Sequence, residues 1–339
     1  MGKKTFVWLV AALLIGMIIV GGCTSMQTAK VPDTPKYPDR PITVIVPFSA
    51  GSAMDLVARM MEKNSIAYLG QPLTVINKPG GSGTIGWNEL VAANPDGYTI
   101  GISGIDLILQ PLYGVSKYNY PTALEPIAQI APSPFVLVVK NEQQWKNLDE
   151  LIDYAKKHPS EIKFGHWGTG SISHIISEIF AKNAAIEMQQ VPFRGGSEAM
   201  AALLGGHIQI AVVSPASVKE HIKSGTIRAL AVTTEKRLSD PVLEAVPTFK
   251  EQGFGIVISN WFGIAAPKEI PYEVKRKLED GFKAIIMDPE FIKNMEGIGL
   301  QPEYLNSQDS AAKWIADNQR LGKSVYETGI ADLIKSQKQ

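Results

Sequence analysis

The chain has 339 residues, with 33 Lys and Arg balancing 33 Asp and Glu, and a single cysteine, Cys23. Neutral charge without a run of one sign leaves no electrostatic footprint for nucleic acid or for an acidic membrane surface. One thiol excludes internal disulfides and thiolate metal sites, and the histidines (His158, His166, His174, His207, His221) include no HExxH or other close ligand pair, so neither cofactor nor metal is expected.

Lys3 and Lys4 precede an apolar run over residues 6–20, broken only by Gly16, and Val20-Gly21-Gly22 leads to Cys23. This is the layout of an export signal with a processing site. The run is shorter than the ~20 apolar residues of a spanning helix, which leaves an uncleaved membrane anchor as the alternative. The segment resembles a bacterial lipoprotein lipobox, with Val20 where Leu is usual and Cys23 as the lipid-bearing residue. The expectation is a signal peptide over 1–22, a lipid-anchored flexible tether over 23–38, and an extracytoplasmic, membrane-anchored domain beyond it.

The β-branched strand 42–46, a helix over 54–69 with apolar residues at helical spacing, closure at Gly70, the strand 73–76, a helix ending near 93 and the strand 98–102 make a βαβαβ series. That order predicts an α/β fold with a largely parallel, doubly wound sheet. A second series follows Pro132, with strands at 135–139, 162–164, 188–191, 208–213 and 227–232, and helices at 148–157, 171–183, 196–204 and 215–223. A late strand at 261–266 precedes helices at 272–287 and 308–322. Two series with crossings near 130–135 and 260–264 predict two lobes, 39–132 with 261–339 and 133–260, flanking a ligand cleft. Hinge closure would bury a small molecule there.

Four strand-to-helix loops carry the candidate residues. In 47–55, Phe48, Ser49, Gly51 and Ser52 lie where unpaired N–H groups at a helix start would receive a carboxylate. Asp55 either caps that helix or faces the ligand. In 165–174, Thr169, Gly170 and Ser171 are candidates for the other end of an anion. His174 would hydrogen-bond the loop locally or touch ligand, and Trp167 would wall the cleft or cover the core. Ser103 lies in the loop 101–106, beside the first. Arg194, in 191–197, would pair with a ligand carboxylate or make a surface salt bridge. Gly81, Gly83 and Gly86 fit GxGxxG with Asp106 about twenty residues on, yet Pro79 and Gly80 interrupt the preceding strand, so a loop or rim role is expected rather than a dinucleotide site. Ser171 with His174 is spaced poorly for a catalytic triad, so no enzyme is expected.

In order, these loops resemble the substrate-binding proteins of tripartite tricarboxylate transporters, the Bug family. The resemblance rests on Tyr37-Pro38-Asp39-Arg40-Pro41-Ile42 with Pro47-Phe48-Ser49-Ala50-Gly51, on Asn77-Lys78-Pro79-Gly80, and on Asn94-Pro95-Asp96-Gly97-Tyr98-Thr99. Leu203-Leu204-Gly205-Gly206-His207 and Trp261-Phe262-Gly263-Ile264-Ala265-Ala266-Pro267 add to it. It implies a two-lobe, periplasmic-binding-protein-like fold that closes on a small organic anion, and membrane transporter subunits as partners. It nominates Phe48, Ser49, Gly51, Asp55, Ser103, Thr169, Ser171 and His174 for the ligand. Ser52 stands where the family has a second glycine, and His166-Trp167 follows Gly165 where Ser or Thr is common, so the pocket is expected to be altered. The expected function is capture of a tricarboxylate, dicarboxylate or similar anion by a monomeric receptor. An exported hydrolase or a ligand-sensing module is the alternative.

Overall fold

The computed structural model describes residues 37–327 and 329–338; the signal segment, the tether up to Lys36 and Cys23 lie outside the described residues. Short β-branched segments alternating with helices build two five-stranded sheets. In the first, β1 (Ile42–Val46) lies between β2 (Leu73–Asn77) and β3 (Thr99–Ser103), parallel to both. The crossovers run through α1 (Ala53–Leu69) and α2 (Thr84–Ala92). Ser52 caps α1, and Gly70, at φ 83°, ends it in the left-handed conformation, returning its N–H to Ile66.

After α3 (Ile105–Leu112) and α4 (Tyr120–Ala123), β4 (Leu124–Pro134) leads the chain out of this sheet. In the second sheet, β5 (Val136–Lys140) is antiparallel to β8 (Ile210–Val213) and β9 (Ile227–Val232), whereas β6 (Lys163–His166) is parallel to β7 (Gln189–Pro192) and β8. Its helices are α5 (Leu148–Lys157), α6 (Ile172–Ala184), α7 (Gly196–Leu204) and α8 (Lys219–Lys223). The chain returns along β10 (Ser259–Pro267), antiparallel to both β3 and β4. The first sheet is therefore mixed rather than largely parallel. A strand re-entering from the neighbouring sheet arrives at the opposite end from β1 to β3 and has to run against them. The helices α9 (Tyr272–Ile286), α10 (Pro289–Gly297), α11 (Ser307–Glu327) and α12 (Ile330–Lys338) complete the chain.

The two crossings pair with each other. Ser259 faces Pro134, Asn260 faces Ser133 and Trp261 faces Pro132, with register shifts at Phe262/Gly263 and Ile264/Ala265. A two-stranded ribbon thus joins the sheets, the geometry of a hinge. The helix expected over 215–223 is a 3₁₀ turn, Pro215–Ser217, followed by α8. Val218, at φ −129°, separates them.

Candidate functional site

The C-terminal ends of β1 and β6 face one another across the ribbon, each followed by a loop and a helix start. Between them lies a cavity of about 40 Å³, enough for about three water molecules. The first loop contributes Phe48, Ser52, Ala53 and Met54; the crossings contribute Phe135, Asn260 and Phe262. Trp167, Gly196, Val213, Ser214 and Ser217 close it from the second sheet, and Asp106 reaches in from α3. The walls are aromatic: the Trp167 ring lies 5.7 Å from Phe135 and 6.4 Å, edge to face, from Phe48. Among the described residues, Asp106 is the only ionisable one in this lining.

Two helix starts meet the cavity. The Ala53 and Met54 amides, at the first two helical positions of α1, have no carbonyl one turn back to pair with. Gly196 opens α7, whose cap Gly195 offers no side-chain bond. The seam beside them is closed by direct contact. The Ser197 hydroxyl donates to Ala50 O (2.8 Å) and lies 2.9 Å from Ser49 Oγ. Its one hydrogen is thereby spent, so Ser49 is the donor between the two hydroxyls. Ser49 N–H reaches Arg194 O at 3.3 Å.

Asp55, 2% exposed, braces the first loop from behind. Its Oδ2 accepts from Gly51 N and Arg59 Nε (2.8 and 3.0 Å), and its Oδ1 accepts from Asn77 Nδ2 (2.9 Å). Of the two roles open to it in the sequence, the geometry gives the structural one. Ser103 ends β3 opposite Gly263; its Oγ is buried, makes no hydrogen bond among the described residues and does not line the cavity.

The second loop is held from both sides. Below it, His174 Nδ1 accepts from Gly170 N (3.1 Å), which leaves Nε2 to donate to Glu178 Oε1 (3.3 Å). Ser171 Oγ caps α6 by accepting His174 N–H and also bonds Ser173 Oγ. Both residues serve the loop, and neither lines the cavity. Across the seam, Gln110 Nε2 donates to Gly170 O (2.9 Å) and Ser82 Oγ to Thr169 O (2.9 Å). Thr169 lies in an outer groove with Ser82 and Arg194. There Arg194 is exposed and paired with Glu198 at 3.0 Å, the surface salt bridge rather than a cleft contact. Two of the fingerprint glycines fold into the 3₁₀ turn Gly81–Gly83 at this rim, and Gly86 lies in α2.

His166 and His174 stack at 4.4 Å, both fully buried. Burial, with a smaller contribution from His174, lowers the His166 pKa from 6.5 to about 3. The folded state keeps this ring neutral while the unfolded chain protonates below about 6.5. Its contribution is therefore complete above that pH and is lost as pH falls toward 3, at about 1.4 kcal/mol per pH unit. Urea midpoints should drop between about pH 7 and about pH 5, and His166→Gln should flatten that drop. Equal slopes for both proteins would contradict it.

Residues missed in the sequence are Asp106, Asn260, Phe135, Phe262 and Ser214. Asp106 stood out only as part of a false nucleotide fingerprint. Its partner Trp167 is 61 positions away, and only the crossing topology joins them. Among the described residues no group of three His, Cys, Asp or Glu side chains could hold a metal ion.

Comparison with known proteins assigns this architecture. The profile of the tripartite tricarboxylate transporter family receptor matches residues 57–329. The chain belongs to this receptor family. BugT of Bordetella pertussis is 32% identical over 301 residues, covering 86% of this chain and 90% of that protein. A Cupriavidus necator relative is 32% identical over 292 residues, covering 86% and 88%. The solved periplasmic binding protein BugD superposes with a TM-score of 0.83 at 30% identity, covering 87% of this chain and 99% of that one. An R. palustris structure with adipate gives 0.81 at 28% identity, covering 86% and 98%. The family fold is the two-lobe, periplasmic-binding-protein-like α/β architecture, and the family places the chain among extracytoplasmic solute-binding receptors.

Proposed function

We propose that this receptor captures a small organic carboxylate in the cavity between its sheets and delivers it to the membrane subunits of a tripartite tricarboxylate-type transporter. The observation that carries this reading is the meeting of two helix starts, Ser52 to Met54 and Gly196, at one half-open cavity. Unpaired N–H groups and the positive helix ends favour a negative group there. Closure removes water and strengthens those contacts. Adipate in the R. palustris relative supports the carboxylate class. Ser171 and His174 give a hydrolase no support, because both are committed to capping α6 and holding its loop.

A thermal-shift screen of mono-, di- and tricarboxylates at millimolar levels tests the reading. At least one acid should raise the melting temperature by several degrees, since binding to the native state alone stabilises by about 2.7 kcal/mol at ~100 times Kd. A flat response to every acid would refute it.

The lipid on Cys23 belongs to the same proposal: it keeps the cleft near its transporter, and two or more acyl chains make such an anchor stable. A Cys23→Ser form lacking residues 1–22 should be soluble, with unchanged affinity in the monomer, and intact protein from the membrane fraction should show a chain that begins at an acylated Cys23 by mass. A membrane-bound chain that still carries residues 1–22 and no acyl mass would point instead to the uncleaved anchor.

A further inference from the structure

Asn260 stands on the returning crossing β10, paired with Ser133 of the outgoing one. It is 5% exposed and lines the cavity between the sheets. Its Oδ1 accepts the N–H of Ile105, the first residue of α3, at 2.8 Å. That bond fixes the orientation of the amide. A backbone N–H can only donate, so the oxygen is the atom beside it and the NH2 group is the end left over. Among the described residues Asn260 Nδ2 has no hydrogen-bond partner. Buried polar groups are normally paired, and leaving one without a partner is costly.

The amide lies beside the start of α1. A Cβ on Gly104, the residue before α3, would meet Met54 Cε at 2.5 Å, the Trp261 carbonyl at 3.0 Å and Asn260 Oδ1 at 3.1 Å. Met54 and Asn260 are therefore neighbours around one glycine. Ala53 and Met54 line the same cavity, and their N–H groups have no carbonyl one turn back. The only other side-chain nitrogen among the described lining residues is that of Trp167, whose N–H already goes to Asp106.

We propose that Asn260 is a ligand-binding residue on the hinge. Its Nδ2 donates to the carboxylate received by the Ala53 and Met54 amides, while its Oδ1 holds the start of α3. The ligand is thereby tied to the returning crossing as well as to α1. Through Ile105 it is also linked to the helix whose Gln110 fastens Gly170 O in the other sheet. This rests on the carboxylate reading above and adds to it a side-chain donor beside the α1 amides.

The test is calorimetric titration of the soluble Cys23→Ser form lacking residues 1–22 with acetate, succinate, adipate and citrate. It is made on that parent and on its Asn260→Asp and Asn260→Ala variants. Asn260→Asp keeps an acceptor for Ile105 N–H and removes the donor; Asn260→Ala removes both and adds no charge. Affinity for the tightest acid should fall at least about tenfold in Asn260→Ala, the order expected for a lost hydrogen bond to a charged group. It should fall further in Asn260→Asp, where a carboxylate would face the ligand. Parental affinity in Asn260→Asp would overturn the proposal, because only the bond to Ile105 would then matter. Parental affinity in Asn260→Ala would overturn it as well, because charge alone would explain the aspartate variant. A crystal structure of the parent with the same acid separates direct contact from a displaced α3, and decides if a variant fails to fold. Asn260 Nδ2 should lie within about 3.2 Å of a ligand oxygen; a bound acid that leaves Nδ2 without contact overturns the proposal. Absence of binding by every acid is a separate result, which overturns the carboxylate reading and this proposal with it.

Discussion

Gly195→Val is expected to leave the fold intact and weaken ligand capture by about two orders of magnitude, as closure becomes unfavourable by a few kcal/mol. At φ 176° the Gly195 backbone is extended, so a side chain brings no local strain. The obstacle appears only across the seam: a Cβ there would overlap Ser49 Oγ and come within 2.9 Å of Ser49 N. Valine would force the loops apart, breaking the Ser49 N–H bond to Arg194 O and the contact between the Ser49 and Ser197 hydroxyls. With the seam open, water reaches the helix starts and their pull on a carboxylate weakens. Titration with the best acid from the screen, beside small-angle scattering with and without it, separates affinity from closure. Wild type should contract and the variant should not. Undiminished affinity in Gly195→Val would show that the closed seam plays no part in binding.

Trp167→Ala should be the most destabilising single change at the site, by about 3–5 kcal/mol. The indole is 8% exposed, packs on Phe48 and Phe135, and donates its only N–H to Asp106. Truncation leaves a void between the sheets and takes one donor from a buried carboxylate, and each loss is costly without repacking. Trp167→Phe keeps most of the apolar surface and should lose less. Urea unfolding measures both, and a loss below about 1 kcal/mol for the alanine variant would mean that this ring is not the wedge between the sheets.

Strands β1 to β3 and their helices were legible because each has a short apolar run, a turn residue and a period of its own. The strand-end loops were legible for the same reason, and Phe48 and Ser52 do reach the cavity. The antiparallel return of β10 was not legible, because strand direction is fixed by where the chain re-enters, which no local pattern records. Helix α3 was hidden by composition. Ile105, Leu107, Ile108 and Leu109 are buried together with the polar Asp106 and Gln110, and Pro111 lies inside the helix, so eight residues with no solvent-facing side give a weak helical signal. Loop position placed His174 and Arg194 near the site, but not their direction. His174 turns under its own loop and Arg194 turns out to Glu198. Asp55 and Asp106 show the same limit in opposite senses. Both are acidic residues in the first turn of a helix, yet Asp55 bonds Gly51, Arg59 and Asn77 around the first sheet while Asp106 crosses to the other sheet.

A crystal structure with the acid that most raises the melting temperature tests the binding site most directly. The ligand carboxylate should lie within hydrogen-bonding reach of the Ala53 and Met54 amides, with the rest of the molecule between Phe48 and Trp167. A ligand held instead in the outer groove beside Thr169 and Arg194, with the cavity between the sheets empty, would contradict capture at the helix starts.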